Sequence, residues 1–176
     1  MLKGLGHIPD DRISEGLVSE FSVAKNLMLG QQRDRPFRKG LFLDRDQINQ
    51  HAQECVSSYE IATPTLDSKT GFLSGGNLQK VILARELAIK PKILLANQPT
   101  RGLDVGVIEY VWGKLLEKRE DGDGILLASE DLDEILNLAD RVMVICQGRI
   151  MGVFDIDDVI VENIGLLMAG IEEAEC

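Results

Sequence analysis

The residues best suited to chemistry stand at the start of a helical pattern, where Ser74, Gly75 and Gly76 precede Leu78. The two glycines carry no Cβ, so the backbone N–H groups at this helix start are open to a ligand. The Ser74 hydroxyl can cap the helix, and the positive end of the helix dipole favours an anion. An ordinary Ser-Gly-Gly turn that caps a helix explains the same residues, so this stretch alone does not decide between the two interpretations.

A second segment with residues suited to chemistry follows a short apolar stretch of the sequence. Ile93 to Ala96 is typical of a strand that is buried on both faces, and the polar segment Asn97 to Asp104 comes directly after it. Asp104 precedes a helical pattern that begins at Val107, which makes it a candidate helix cap.

The elements that must position these groups change in character along the chain. Asp44 to Val56 carries a capping signal and helical apolar spacing, and Gln31 to Gly40 is typical of an exposed loop. The helical pattern from Leu78 ends at Pro91, which cannot continue a helix. We therefore expect the first 90 residues to be mainly helical.

The next part of the chain alternates strands with helices. Further strands buried on both faces are expected at Ile125 to Ala128 and at Val142 to Cys146, with helical patterns before each and a cap at Asp131. This order predicts one parallel sheet with right-handed crossovers. A tight turn at Gln147-Gly148 leads into an antiparallel edge strand, Arg149 to Phe154, and Ile164 to Ala169 is expected to form a short helix. The predicted division is 1–90, 91–154 and 155–176.

Composition narrows the classes of function. The chain has 176 residues and a net charge of -10, which argues against a surface for nucleic acid and against direct binding to a membrane surface. No apolar run is long enough to span a membrane and no secretory signal is present, which favours the cytosol. Cys55, Cys146 and Cys176 suit reduced thiols, and His7 and His51 suit structural roles rather than a metal site.

Taken together, these motifs resemble the signature motif, Walker B strand and D-loop of ATP-binding-cassette proteins. The resemblance extends to Gly6 to Arg12 and Gly16 to Val18, which look like the glutamine-loop region of sugar importers, and to the strand that ends at Ser129 to Leu132. Ala96 to Pro99 and Gly165 to Gly170 look most like the second cassette of nucleoside importers. The resemblance implies an α/β fold: a partial P-loop NTPase fold, with a helical signature subdomain followed by a mostly parallel sheet with flanking helices.

The resemblance also implies the site. In this family ATP lies between two cassettes, one of which supplies the signature motif, and Mg²⁺ accompanies ATP in the assembled transporter. The matching positions here form one set of expected nucleotide-binding residues: Ser74, Gly75, Gly76, Asn77, Gln79 and Asp104. Asp104 matches a residue that crosses to the opposing cassette, a role that is compatible with capping a helix.

Four positions depart from the family pattern. Asn97 and Gln98 stand where the family has the Walker B Asp and the catalytic Glu, and both are neutral amides. Glu130 stands at the switch His, where it repels a phosphate, and Asp10 stands at the glutamine-loop position. The resemblance therefore implies a degenerate half-site, which hydrolyses little itself and completes the active site of a partner.

A Gly-rich phosphate-binding loop followed by Lys and Ser or Thr does not occur in the sequence. We expect the chain to be a C-terminal fragment of a tandem-cassette protein that is inactive alone, exposes an unpaired sheet edge and self-associates. A truncated gene product is the other explanation.

The partners that the resemblance implies are another cassette and an integral membrane permease, which would hold the protein at the inner face of the plasma membrane. A small basic cluster is a candidate permease contact, although a solvated loop is the favoured explanation: Arg33, Arg35, Arg38 and Lys39. Two other functions stay open: a non-transport cassette ATPase that acts on ribosomes or DNA, and a catalytically silent interaction module. The acidic chain lacks the basic extensions that the first of these would need.

Overall fold

A computed structural model describes residues 4–171 of the chain. The chain forms two compact units, Met1–Ala128 and Ser129–Cys176, and each is described by itself below. The predicted boundaries at residues 90 and 154 stay a prediction, because they separate functional segments rather than compact units.

The strands of the described residues are β1 (Leu5–Ile8), β2 (Arg38–Lys39), β3 (Phe42–Leu43), β4 (Ile93–Asn97), β5 (Gly124–Ala128), β6 (Arg141–Cys146) and β7 (Arg149–Asp155). The α-helices are α1 (Val23–Leu27), α2 (Arg45–Ser58), α3 (Gly75–Ala88), α4 (Val105–Glu120), α5 (Leu132–Leu138) and α6 (Val161–Met168). None of the helices between residues 4 and 171 is long and apolar enough to cross a bilayer.

The first unit is built on a parallel sheet in the order β1, β4, β5. Ile8 pairs with Ala96, and Asn97 pairs with Ala128, so the carboxyl ends of the three strands meet at one edge. The expected parallel arrangement of β4 and β5 is confirmed. The expectation of a mainly helical first 90 residues missed β1, because Leu5-Gly6-His7-Ile8 is short and carries glycine and histidine.

Helix α3 runs through the core of the first unit. Its residues Val81, Ile82, Leu83 and Ala84 are each 0% exposed, which means that the helix is covered on all sides rather than along one stripe. It packs against β1, α1, α2 and α4. The predicted helix from Leu78 to Pro91 is confirmed, with its first turn beginning earlier, at Gly75.

Strand β5 is an edge strand in the part of the chain that the structure describes, since its hydrogen-bonded partner is β4. Leu126 is 60% exposed, and Ile93 on β4 is 52% exposed. The prediction that these strands are buried on both faces is therefore wrong for this structure. Side chains of a strand project from the faces of the sheet, so these exposed residues mark a sheet face, while the unpaired edge consists of the outer backbone groups of β5.

The segment predicted as an exposed loop, Gln31 to Gly40, is more ordered than expected. It contains a short 3-10 helix, Arg35–Phe37, and leads into a hairpin in which β2 pairs with β3. Gly40 has a φ of +67°, which suits the two-residue turn Gly40-Leu41 that joins the strands.

In the second unit, β6 pairs with β7 in an antiparallel hairpin whose turn residues, Gln147 and Gly148, both have positive φ. This confirms the predicted turn and edge strand. The expectation that β6 continues the parallel sheet is wrong, because its hydrogen bonds go to β7. Helix α6 covers the hairpin, which confirms the predicted short helix, and the core there consists of Val142, Val144, Ile164 and Leu167.

Helix caps follow the sequence closely. The carboxylate of Asp44 accepts hydrogen bonds from the backbone N–H groups of Asp46 and Gln47 at the start of α2. Asp131 does the same for Asp133 and Glu134 at the start of α5. Both caps were predicted from the spacing of these residues.

The cysteines of the described residues are free thiols. Cys55 is buried on α2, and this burial raises the pKa of its thiol to about 11, which disfavours the reactive thiolate. Cys146 is half-buried, and Cys176 lies outside the described residues.

Candidate functional site

The start of α3 is open to solvent, as a site between two subunits requires. Ser74 and Gly75 are exposed, and the preceding Phe72 is 85% exposed. The first turn of a helix leaves backbone N–H groups without partners inside the helix, and this turn begins at exposed residues here. An anion can therefore reach the amides at this end of α3.

The two glycines of this turn have different surroundings. A Cβ on Gly75 would meet no atom within 4 Å, whereas a Cβ on Gly76 would lie 2.8 Å from Cγ2 of Val107 on α4. Gly76 is therefore required for the close packing of α3 against α4. Gly75 faces open space, so it is the position at which a ligand can approach the backbone.

Ser74 occupies the position of the helix cap, but its hydroxyl makes no capping bond to the backbone. The side-chain amide of Asn77 donates to this hydroxyl at 2.9 Å, and its oxygen accepts from the N–H of Ala62 at 2.7 Å. Asn77 thus ties the helix start to the neighbouring chain segment. The expected Ser74 cap is wrong, because Ser74 makes no bond to the helix backbone and instead accepts from the Asn77 amide. The residue is exposed, and its O–H remains able to donate to a ligand.

Gln79 is 1% exposed, so it faces the interior rather than the open helix end. Its oxygen accepts a hydrogen bond of 2.9 Å from Nε of Arg12, and its side-chain nitrogen has no partner. In this conformation Gln79 positions Arg12. Contact with a nucleotide would require Gln79 to become exposed.

Arg12 joins α3 to the turn that follows β4. Its guanidinium also donates to the backbone oxygen of Arg101, and partial burial lowers the pKa of Arg12, mainly through the cost of desolvating the charge. Arg101 in turn donates to both carboxylate oxygens of Asp10, at 3.2 and 3.1 Å. Asp10 is therefore held in an ion pair at the carboxyl edge of the sheet.

The end of β4 carries the two predicted amides. Asn97 is exposed at the last position of the strand, and Gln98 follows with a φ of +48°, a left-handed conformation that is uncommon for a residue with a side chain. The backbone N–H of Gln98 donates to the oxygen of Ala128 at the end of β5. This bond fixes the strained residue at the same sheet edge as Asp10.

The remaining predicted site residues are Asp104 and Glu130. Asp104 caps α4 by accepting from the N–H of Val107 at 3.1 Å, which confirms its predicted capping role. Glu130 is exposed and belongs to the second compact unit.

The fit of Mg²⁺ can be judged from the side chains at the sheet edge. Mg²⁺ prefers carboxylate oxygens, but the end of β4 offers two neutral amides and the carboxylate of Asp10 is paired with Arg101. Between residues 4 and 171, no group of three or more His, Cys, Asp or Glu side chains could hold one metal ion. These residues do not fit Mg²⁺, and we derive no step from it for this chain.

Arg12 and Arg101 were not predicted as parts of the site. Gln79 lies 67 positions after Arg12, and Arg101 lies 91 positions after Asp10, so no local spacing rule links them. The parallel pairing of β1 with β4 brings these residues together, and β1 was the strand missing from the prediction.

Comparison with known proteins adds independent findings. No family model matches the chain. The chain is 42% identical, over 168 residues, to the nucleoside import ATP-binding protein NupA of Lactococcus lactis, covering 96% of this chain and 33% of that protein. It is 41% identical over 172 residues to the guanosine import ATP-binding protein NupO of Bacillus subtilis, covering 98% of this chain and 34% of that protein.

A ribose import ATP-binding protein, RbsA 1 of Rubrobacter xylanophilus, is 36% identical over 173 residues, which cover 98% of this chain and 34% of that protein. The chain thus spans about a third of the length of the curated relatives it matches.

Among solved structures, the fold is similar to a dimeric post-hydrolysis state of the ATP-binding cassette MJ0796 bound to ADP and Pi. The TM-score is 0.71 at 24% identity, over 88% of this chain and 63% of that one. A second dimeric structure of MJ0796, described as a bacterial ABC transporter cassette, gives a TM-score of 0.69 at 24% identity, over 86% of this chain and 62% of that one. The chain therefore has the α/β fold of an ATP-binding cassette, and its relatives are import ATP-binding proteins for nucleosides and sugars.

Proposed function

We propose that this chain is part of the ATP-binding subunit of an importer for nucleosides or simple sugars. In this role it donates the start of α3 to an ATP site that a second cassette completes. The observation that carries the proposal is the open helix end, where Ser74 and Gly75 are exposed and a Cβ on Gly75 would meet nothing. The relatives named above support the transport role, and the dimeric cassettes of similar fold support a site between two subunits.

The chemistry of the donated helix end is electrostatic. Backbone N–H groups and the helix dipole stabilise the negative charge of a phosphate, and the Ser74 hydroxyl adds a donor whose direction is free to adjust. None of these groups changes its protonation state, so their contribution is to bind and orient the nucleotide.

The chain's own hydrolytic positions are proposed to be silent. The Gln98 amide cannot take up a proton from an attacking water near neutral pH, and Asn97 brings no negative charge to a metal. The carboxylate of Asp10, at the same edge, is paired with Arg101. Magnesium bound in the assembled transporter would then depend on ligands from other parts of the protein.

The test uses the full-length protein assembled with its permease in lipid vesicles. Ser74→Arg places a long side chain at the helix start, in the space where a phosphate would approach. We expect ATP turnover to fall at least about tenfold, the scale of a lost transition-state contact of 1.4 kcal/mol or more. Ser58→Arg, at the exposed end of α2, is the matched control and is expected to leave turnover unchanged.

A second variant separates the two parts of the proposal. Gln98→Ala is expected to leave ATP turnover near the wild-type value, because Gln98 is not the base in our account. Unchanged turnover in Ser74→Arg would refute donation of the helix start. A large loss in Gln98→Ala would instead refute the silent half-site.

The same importer would place the protein at the cytoplasmic face of a membrane through its permease. The competing assignment, an interaction module without a role in hydrolysis, predicts that Ser74→Arg leaves ATP turnover unaltered. The transported solute is proposed only as a class, since the relatives carry nucleosides, ribose and other sugars in their names.

A further inference from the structure

The β2–β3 hairpin, Arg38–Leu43, carries the most exposed apolar side chains of its region. Leu41 is 92% exposed, Phe42 is 80% exposed and Leu43 is 46% exposed. The Leu41 and Phe42 side chains lie at the turn, beside Gly40. Burying large apolar side chains is favourable, so two of them together at an exposed tip mark a surface that interacts with something apolar.

The base of this hairpin is firmly attached to α2. Phe37 is 5% exposed, and its ring meets the His51 ring edge-on at a centroid distance of 5.1 Å. The backbone N–H of Asp44 donates to the oxygen of Phe37 at 2.9 Å, just before α2 begins. The tip is therefore a protrusion on a fixed base, and its apolar residues are not left over from an unfilled core.

Positive charge is concentrated beside the same tip. Four exposed cations flank it: Arg33, Arg35, Arg38 and Lys39. None of the four forms an ion pair with a carboxylate of the described residues. Residues 33–46 contain these four cations and Arg45, together with the carboxylates of Asp34, Asp44 and Asp46, which gives 5 - 3 = +2 in a chain whose net charge is -10.

Total charge predicts repulsion from an anionic surface, but distance decides which charges act. Ions screen exposed charges over about 8 Å at physiological salt, so the charges of this segment, including the nearby Asp44 and Asp46, act more strongly at the tip than charges farther away. A surface that touches the hairpin encounters a local excess of positive charge around two apolar side chains. The total net charge of the chain does not reveal this local excess of positive charge.

We propose that the hairpin Arg38–Leu43 docks on anionic lipid headgroups, with Leu41 and Phe42 entering the interfacial region and the four cations pairing with lipid phosphates. Cations beside an apolar insertion are the combination that binds anionic bilayers. A protein partner is the less favoured occupant, because stable protein interfaces bury roughly 800 Å² on each side. A two-residue turn with three apolar side chains supplies much less, whereas a lipid surface needs no matching shape.

The experiment is a flotation assay with the purified chain, in which vesicles rise and aggregated protein sinks. Vesicles of phosphatidylcholine are compared with vesicles in which phosphatidylglycerol replaces about a third of the lipid. We expect binding to the anionic vesicles, little binding to the neutral ones, and release as salt shortens the screening length to about 3 Å at 1 M.

Two variants address the two halves of the proposal. Arg38→Glu/Lys39→Glu is expected to weaken binding by at least about 25-fold, since each cation near an anionic surface contributes about fivefold. Leu41→Ser/Phe42→Ser is expected to weaken binding at least tenfold while keeping the charge.

Matched controls change the same quantities elsewhere on the surface. Lys90→Glu/Arg149→Glu gives the same change in net charge, and Phe72→Ser/Ile150→Ser removes two exposed apolar side chains. Both controls are expected to bind like the wild type. A circular dichroism spectrum of each variant shows whether it is folded.

Three results would overturn the proposal. The first is equal binding to neutral and anionic vesicles, and the second is equal loss in the hairpin variants and their controls. The third is no binding to permease-free vesicles, combined with lost permease co-purification in full-length protein that carries Arg35→Asp/Arg38→Asp. That combination would assign the hairpin to a protein partner. None of these results depends on ATP turnover, so the proposal stands or falls separately from the proposed function.

Discussion

Neighbouring glycines in the α3 start serve different physical purposes. Gly76 lacks a side chain because Val107 of α4 fills the space, and Gly75 lacks one on an open surface. From the sequence, both glycines were interpreted as allowing a phosphate to approach the backbone. The packing role of Gly76 was missed, because a Ser-Gly-Gly pattern contains no information about α4. The helix start was therefore located correctly from the sequence, and the assignment of Gly75 and Gly76 to a phosphate stays a prediction.

His51 provides a prediction about pH at the scale of a single residue. Partial burial lowers the pKa of His51 below its ordinary value of 6.5, against a smaller opposing effect of Glu54. The unfolded chain therefore binds more protons than the folded chain between the folded pKa of His51 and about 6.5. Stability contributed by neutral His51 is complete above 6.5 and is lost as the pH falls through the folded pKa.

We expect urea unfolding of the wild-type chain to give a free energy that decreases from pH 7 to pH 5. His51→Gln removes the titrating group, so this decrease should be smaller in the variant than in the wild type. An identical slope in His51→Gln and the wild type would contradict the assignment.

At the scale of elements, α3 is held to its surroundings by a buried ion pair on its last turns. Nε of Arg85 donates to Glu86 at 2.7 Å, and the other Glu86 oxygen accepts from the N–H of His7 at 3.0 Å on β1. Arg85 also donates to the oxygen of Gly16 at 2.8 Å. One pair of side chains therefore attaches α3 both to the sheet and to the segment that follows β1.

Glu86→Ala is expected to lower the free energy of unfolding by about 3 kcal/mol, because it leaves the Arg85 charge buried without its partner. Chemical denaturation measures this change. Glu54→Ala, which removes an exposed carboxylate from α2, should change the free energy by no more than about 0.5 kcal/mol. Similar values for the two variants would mean that the buried pair does not hold α3 in place.

Elements were predicted best where local chemistry decides them. The capping carboxylates of Asp44 and Asp131 located the starts of α2 and α5, and Pro91 limited α3. Strand β1 was missed, because its four residues become a strand only through pairing with β4, more than eighty positions away. The same difference between local and distant contacts applies to the candidate site. Its motifs were visible in the sequence, but the contacts of Arg12 and Arg101 depend on the pairing of β1 with β4.

At the scale of the whole molecule, β5 forms one of the two edges of the three-stranded sheet in the described residues. Backbone groups along this edge have no strand partner in the part of the chain that the structure describes, and Leu126 is 60% exposed beside them. An exposed edge with apolar side chains is a template for pairing with another chain.

We predict that the purified chain self-associates through this edge. Light scattering should give an average mass above that of one chain and rising with concentration. Leu126→Lys should shift the mass towards the monomer, since charged residues oppose edge pairing, whereas Ile13→Lys, at another exposed apolar position, should not. A concentration-independent monomer for the wild-type chain would disprove the prediction.

The guanidinium of Arg12 is a flat, rigid group, and it spans from the Gln79 side chain on α3 to the backbone of the turn after β4. The planar fork fixes the directions in which these two hydrogen bonds point, whereas the aliphatic stem that carries it stays flexible. A displacement of α3 relative to the Arg101 turn would have to be taken up by the Arg12 stem or by the loss of one of these two hydrogen bonds. Arg12 is therefore a direct hydrogen-bonded connection between α3 and the carboxyl edge of the sheet.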